Sequence, residues 1–199
     1  ASGSMCSFTN VLIKGNMARW GGGGVMLYKS TLHMRGSTVE ANTATENGGG
    51  GGVRILYSTA SINETRFYKN EAQYFGGGIY VYGNIADGPS ALTMRRSVLE
   101  ENEQTSTAGD AVHGGGGLYV EYNSSAVLRE TTLIGNRAKA DSAGPADHGH
   151  QIMTHRANSA YATSLAVALI NSNVTATAGN FYGYNEGDMG SVENYIGTK

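Results

Sequence analysis

A pattern of fixed internal spacing recurs six times along this chain and limits what it can fold into. It consists of an apolar residue, a small or apolar residue three positions on, an apolar residue two later, and asparagine three after that. The copies are Phe8, Val11, Ile13, Asn16; Met34, Ser37, Val39, Asn42; Ile62, Thr65, Phe67, Asn70; Met94, Ser97, Leu99, Asn102; Leu128, Thr131, Leu133, Asn136; and, more loosely, Leu165, Ala168, Ile170, Asn173. The asparagines are 26, 28, 32, 34 and 37 residues apart, so the period drifts while the motif holds. A constant structural coil carrying loops of variable length explains both facts. Apolar and polar positions alternate as on a strand, and helical stripes are absent.

Glycine runs mark a second fixed point. Gly21 to Gly24 lead into Val25-Met26-Leu27, Gly48 to Gly52 into Val53-Arg54-Ile55, Gly76 to Gly78 into Ile79-Tyr80-Val81, and Gly114 to Gly117 into Leu118-Tyr119-Val120. The tight corner expected there needs either positive φ or a backbone approach too close for a Cβ. No unit can bury its apolar side alone, so the copies must stack, with parallel pairing at about 4.8 Å per coil. Crossovers between parallel strands are right-handed in nearly all cases. The expected fold is all-β: a right-handed single-stranded parallel β-helix, or solenoid, of about six coils.

Its inward columns should be Phe8, Met34, Ile62, Met94, Leu128, Leu165; then Ile13, Val39, Phe67, Leu99, Leu133, Ile170; then Val25, Val53, Ile79, Leu118, Ile152, Phe181. Cys6 aligns with Leu32 as a small core residue. Asn16, Asn42, Asn70, Asn102, Asn136 and Asn173 should form an amide ladder, each in left-handed geometry at a bend. Residues 1–5 read as a cloning scar or a disordered start, 6–185 as one β-helical domain, and 186–199 as a tail or terminal cap.

Composition narrows the function classes. Charged residues make up 15% of the chain and the net charge is −2, with no basic run, which argues against nucleic acid and anionic membranes as partners. A single cysteine cannot form an internal disulfide. No apolar stretch approaches the ~18 residues a membrane helix needs, so no membrane insertion of this segment is expected.

Gly76-Gly77-Gly78-Ile79-Tyr80 together with Phe67-Tyr68-Lys69-Asn70 resembles the paired GGA(I/L) and FxxN motifs of the polymorphic outer-membrane proteins, which are autotransporter-type passengers. The resemblance covers about residues 6 to 155 and is best in the first four coils. It implies a β-helical, surface-exposed or secreted passenger used for adhesion, located extracellularly or on the cell surface. The chain departs from that family in its single cysteine and in the long loops of coils four and five.

Two places concentrate unusual chemistry. The interval from the asparagine to the third apolar column is 9, 11 and 9 residues in coils one to three but 16 in coils four and five. The loops from Glu103 to His113 and from Arg137 to His148 therefore leave one corner of adjacent coils, where solenoids build binding faces. They carry Asp110 and His113, and Asp147, His148 and His150; His155 and Arg156 end the next strand. Asp110, His113, Asp147 and His148 are the candidate ligands for a divalent cation such as calcium, although no cofactor is otherwise expected. In an enzyme, His113, His148, His150 and Arg156 would be the acid-base groups. The competing reading makes these residues polar turn positions.

The second place is the outward side of the strands after the glycines. Met26, Arg54, Tyr80, Tyr119, Met153 and Tyr182 should form one exposed column and Tyr28, Leu56, Tyr82, Glu121, His155 and Tyr184 its neighbour. Such a platform suits sugar stacking or protein docking, unless the tyrosines serve only as good strand formers. Of the sequons at Asn63, Asn123 and Asn173, Asn123 is expected to be the exposed one. The function expected is a non-enzymatic module binding a glycan or a host or cell-surface protein. Alternatives are a polysaccharide lyase or epimerase and a structural spacer. Open coil ends also suggest end-to-end self-association.

Overall fold

The computed structural model describes residues 3–46, 48–106, 113–139, 150–156, 165–174, 181–185 and 195–197, with only the backbone described for Arg156, Leu165, Ala166, 181–185 and 195–197. Among the described residues every strand pairing is parallel, and the strands form four sheets. Sheet A stacks Ser4–Thr9, Ser30–Arg35, Thr59–Asn63, Ser90–Arg95, Ser124–Arg129, Leu165–Ile170 and Tyr195–Gly197. Sheet B stacks Leu12–Lys14, Thr38–Glu40, Arg66–Tyr68, Val98–Glu100, Thr132–Ile134 and Asn173–Val174. Sheet C is built from the two-residue strands Met17–Ala18, Thr43–Ala44, Glu71–Ala72, Glu103–Gln104 and Arg137–Ala138. Sheet D stacks Val25–Tyr28, Val53–Leu56, Ile79–Gly83, Leu118–Tyr122, Ile152–Arg156 and Phe181–Asn185. The chain visits A, B, C and D in turn, coil after coil, which is the expected right-handed parallel β-helix.

The inward columns form one continuous core, with Met34, Ile62, Met94 and Leu128 under sheet A, Val39, Phe67, Leu99 and Leu133 under B, and Val53, Ile79, Leu118 and Ile152 under D. Cys6 lies opposite Leu32 and packs on this core. Sheet C contributes a column of small residues, Ala18, Ala44, Ala72 and Ala138, broken only by Gln104. The buried Gln104 amide donates to the carbonyls of Gln73 and Ser106.

The asparagine ladder holds over five rungs. Asn16 donates its side-chain amide to Asn42 Oδ1 at 3.0 Å, Asn42 to Asn70 and Asn70 to Asn102 at 2.9 Å, and Asn102 to Asn136 at 2.8 Å. The backbone N–H groups of Asn16, Asn42, Asn70 and Asn102 each donate to the oxygen that takes their side-chain amide. From Asn42 onward, the second Nδ2 hydrogen is given to a sheet B carbonyl one coil back, Ile13, Val39, Phe67 and Leu99 in turn. Three donated hydrogen bonds at each of the middle rungs, Asn42, Asn70 and Asn102, close the accounting for a buried polar group, so loss of one rung orphans its neighbours.

Two expectations about this ladder are corrected. Left-handed geometry belongs to the residue before each asparagine, namely Gly15, Ala41, Lys69, Glu101 and Gly135; this frees the asparagine to reach along the axis. Asn173 is exposed and pairs with Thr132, so it is not a rung. The sixth copy begins at Leu169, opposite Leu128, and continues through Ser172, which accepts the Thr131 N–H at 3.2 Å, to Val174 opposite Leu133. Leu169 and Val174, rather than Leu165 and Ile170, thus continue the core columns. The ladder instead ends on the buried Gln151, whose Oε1 accepts from Asn136.

The corners obey the steric argument. Gly76 has φ +57°, and a Cβ on Gly77 would lie 2.5 to 2.6 Å from backbone atoms of Glu103. Two segments near the termini also pair within sheet A. Ser4 and Met5 are already in the first strand, paired with Ser30 and Thr31, rather than a disordered start. Tyr195–Gly197 adds a seventh strand to sheet A and so belongs to the stack.

Candidate functional site

The outward face of sheet D has the predicted columns but not the predicted exposure. Ile79↔Leu118↔Ile152 and Tyr80↔Tyr119↔Met153 lie in register. Yet Tyr80, Tyr119 and Met153 are buried and form a second apolar cluster outside the solenoid wall, with Phe75 and Tyr82 packed against it. Phe75, bridged in parallel to Gly49 and Gly114 just before Gly76, places its ring 5.2 Å from those of Tyr80, Tyr119 and His113. His113 in turn sits 4.3 Å from the Tyr74 ring and is itself buried. The expectation of an open tyrosine platform through Tyr80, Tyr119 and His155 is therefore corrected: this stretch is a covered second layer. The signal that marks it is an aromatic residue just ahead of a glycine run, Tyr74-Phe75-Gly76, as in Trp20-Gly21.

Within this layer lies a buried polar relay. Glu121 accepts a hydrogen bond from the Tyr80 hydroxyl at one carboxylate oxygen and lies 2.9 Å from His155 Nδ1 at the other. All three side chains are buried. Burial first, and then the negative charge of Glu121, push the Tyr80 hydroxyl well above its ordinary pKa. Arg54 lies over the Tyr80 ring at 5.2 Å and donates to the Trp20 carbonyl.

The neighbouring corner, where sheet D turns toward sheet A, stays half-open. Tyr28, Tyr57, Tyr82 and Tyr122 meet edge to face with centroids 5.7, 5.6 and 5.2 Å apart, and His155 continues the row at 5.3 Å. Tyr57 and Tyr122 take φ +49° and +55°, which swings their side chains out of the alternation. Beside them the chain makes an outward turn closed by paired Asn84 and Gly88 backbone hydrogen bonds. Asn84 donates to the Tyr57 hydroxyl oxygen at 3.1 Å and to Asp87 at 3.2 Å. Asp87 accepts from Lys29 Nζ at 3.0 Å, and that ammonium also lies 5.5 and 5.8 Å from the Tyr28 and Tyr57 rings.

These contacts set the electrostatics of the corner. The Lys29 hydrogen bond, then that of Asn84, holds the Asp87 carboxyl below its usual range, and Asp87 raises Lys29. Burial, followed by the neighbouring Tyr82, pushes the Tyr57 hydroxyl up. The pairing of two exposed groups contributes little to stability. What it supplies is orientation: a row of aromatic rings with fixed donors and acceptors along one side. Sequence reasoning missed Lys29, Tyr57, Asn84 and Asp87. Their trace is the recurring serine that caps the preceding carbonyl, two residues after Tyr28 and Leu56 but eight after Tyr82.

The remaining candidates separate as follows. Glu103↔Arg137 and Gln104↔Ala138 are adjacent in sheet C, so the two long loops do leave neighbouring rungs of one sheet. His150 Nδ1 accepts the Ala138 N–H at 2.9 Å, tying this imidazole to the backbone. Asp110, Asp147 and His148 lie outside the described residues, as do the side chains of Arg156, Tyr182 and Tyr184. Among the described residues no three metal-ligating side chains converge. The sequons invert the expectation: Asn123 is buried against the Asn84 carbonyl, whereas Asn173 is exposed.

The right-handed β-helix family model matches residues 1–165, most of the chain and every described ladder rung. The chain belongs to the right-handed β-helix family. Domains of this family occur in surface proteins, adhesins and carbohydrate-active enzymes. No curated protein and no solved structure gives a significant match to this β-helix.

Proposed function

We propose that this β-helix is a non-enzymatic, surface-exposed or secreted module of the autotransporter-passenger kind that binds a glycan chain along its tyrosine corner. The observation that carries this reading is the half-open row Tyr28, Tyr57 and Tyr82 beside the Asn84–Gly88 turn. Pyranose rings stack on aromatic side chains, and their hydroxyls need paired donors and acceptors at fixed positions, which Asn84, Asp87 and Lys29 provide. The coil spacing of about 4.8 Å makes the row linear, which suits a chain more than a compact ligand. Low charge density leaves shape and hydroxyl recognition as the source of affinity. The motifs around Asn70 and Gly76 are the support for the passenger assignment.

The test is a glycan array run with and without calcium, followed by titration of any hit. Saturable binding without turnover, weakened at least tenfold by Tyr57→Ala and by Asp87→Asn, supports the module; unchanged binding by both variants overturns the corner as its site. Chain cleavage or epimerisation of a bound polysaccharide would favour the second reading, a carbohydrate-active enzyme. The Tyr80–Glu121–His155 relay is the feature that speaks for that reading, because a carboxylate held between a hydroxyl and an imidazole is acid-base machinery. Its burial speaks against it.

A further inference from the structure

Sheet A turns an acid-free face to solvent. In its second to fifth strands the outward positions form three columns in register. Two are mostly small and hydroxylic, carrying Thr31, Thr59 and Ser125 in one and Ser61 and Thr93 in the other. The third is Arg35, Asn63, Arg95 and Arg129. No position in these columns holds a carboxylate, and His33 supplies their one aromatic ring. The strand acids of the same coils lie on the other sheets, with Glu40 and Glu100 on B and Glu71 and Glu103 on C, so a chain of net charge −2 keeps one side cationic.

At the bend after these strands, Glu64, Arg96 and Glu130 take φ +50°, +47° and +50°. Glu64 accepts from Arg35 Nε at 3.2 Å and pairs with Arg96 at 3.0 Å, while Glu130 lies 3.5 Å from Arg95. Arg129 has no carboxylate partner among the described residues. Four exposed guanidinium groups, those of Arg35, Arg95, Arg96 and Arg129, thus share two carboxylates, a local net charge of +2. Exposed pairs of this kind are weakly held, so an incoming anion displaces them at little cost.

From this arrangement we infer that the outer face of sheet A is an interaction surface for a sulfated polysaccharide, separate from the tyrosine corner and going beyond it. Guanidinium groups donate and never accept, and the face has no carboxylate to take the hydroxyl hydrogens of a neutral sugar. Its partner must therefore bring acceptors. A sulfate ester brings them in an arrangement that paired guanidinium N–H groups grip as they grip a phosphate. Arg35 and Arg95 stand two coils apart, about 10 Å, and Arg95 and Arg129 one coil, about 5 Å, so anions repeated along a polymer parallel to the axis meet successive rungs. The small floor beside the arginines lets that polymer lie against the sheet. Duplex DNA calls for a denser set of cations and a single strand for rings on which to stack. An acidic peptide calls for apolar anchor pockets. This face offers none of these.

Fluorescence anisotropy of labelled dextran sulfate, titrated with the full chain at about 0.15 M salt, provides the test. Binding should be saturable and indifferent to neutral dextran. The double variant Arg35→Gln, Arg129→Gln alters exposed side chains, so its circular dichroism should match the parent. Its binding should weaken at least tenfold, and the slope of log affinity against log salt should fall by about two. Arg129→Gln alone, which breaks no ion pair among the described residues, should weaken binding at least threefold. Tyr57→Ala should leave this binding unchanged, which separates the surface from the tyrosine corner. Absence of binding, or arginine variants that bind like the parent, overturns the inference. So does a Tyr57→Ala variant that no longer binds. Competition by duplex DNA, poly-glutamate or polygalacturonate at equal charge overturns it too, since that would be attraction without recognition.

Discussion

Sheet D carries one alternation along its coils, yet the first and fourth strands differ completely on its outer face. At the start, Met26 and Tyr28 are 51% and 54% exposed; three coils later Tyr119, in the same column and register as Met26, is fully buried. Among the described residues Val25–Tyr28 is paired on one side only and Leu118–Tyr122 on both, and the outer face of the second also lies under other side chains. Phe75 and His113 are part of that cover, and both lie between the named strands, Phe75 in isolated parallel bridges with Gly49 and Gly114. Inward burial is fixed by the repeat, and outward burial is decided by which residues precede each glycine run, Phe75 in coil three and His113 in the long loop of coil four.

Truncation should expose this contrast most strongly at the covered end. Tyr119→Ala removes a fully buried ring between Phe75 and Tyr80 and should destabilise by about 3 to 5 kcal/mol in urea melts. A loss below 1 kcal/mol would mean that the cover is loose. His155→Ala should cost about 1 to 3 kcal/mol, since it leaves one side of the buried Glu121 carboxylate without its imidazole. Restoration of the melt by adding back imidazole would sharpen the assignment.

The relay should also make itself felt at high pH. The folded Tyr80 pKa is raised, so its contribution is complete below the unfolded tyrosine value near 10. It is lost as pH climbs from there toward the folded value, because the unfolded chain releases the proton first. Urea midpoints should therefore decline above pH 10, and Tyr80→Phe should flatten the decline by up to one proton, about 1.4 kcal/mol per pH unit. An unchanged slope would place Tyr80 in contact with solvent. Tyr28→Ala at the open end should shift stability by no more than about 0.5 kcal/mol while weakening glycan binding. A large stability loss there would mean that the open end is covered too.

The inner half of the molecule was readable because stacking puts like over like. Asn42, Asn70 and Asn102 recur at one motif position, and amides in one position must bond to one another or stay unsatisfied. The sixth coil was misread because Asn173 offered the expected letter four residues from the true register, which only the pairing of Leu128 with Leu169 reveals. Sheet C escaped notice because its strands are two residues long, although Ala18, Ala44, Ala72 and Ala138 follow the ladder asparagines at a constant distance. Tyr57 and Asp87 had no periodic signature: one lies at a positive-φ position between strands and the other in a single-coil insertion.

The sequence by itself determined the coil, its handedness, its core columns through five coils and five rungs of its ladder, since each repeats and a repeat can satisfy itself only by stacking. Tertiary structure alone decided which outward residues meet water and which polar groups converge on the corner. Those outcomes depend on loops that occur once, and a group that occurs once finds its partner through the path of the whole chain.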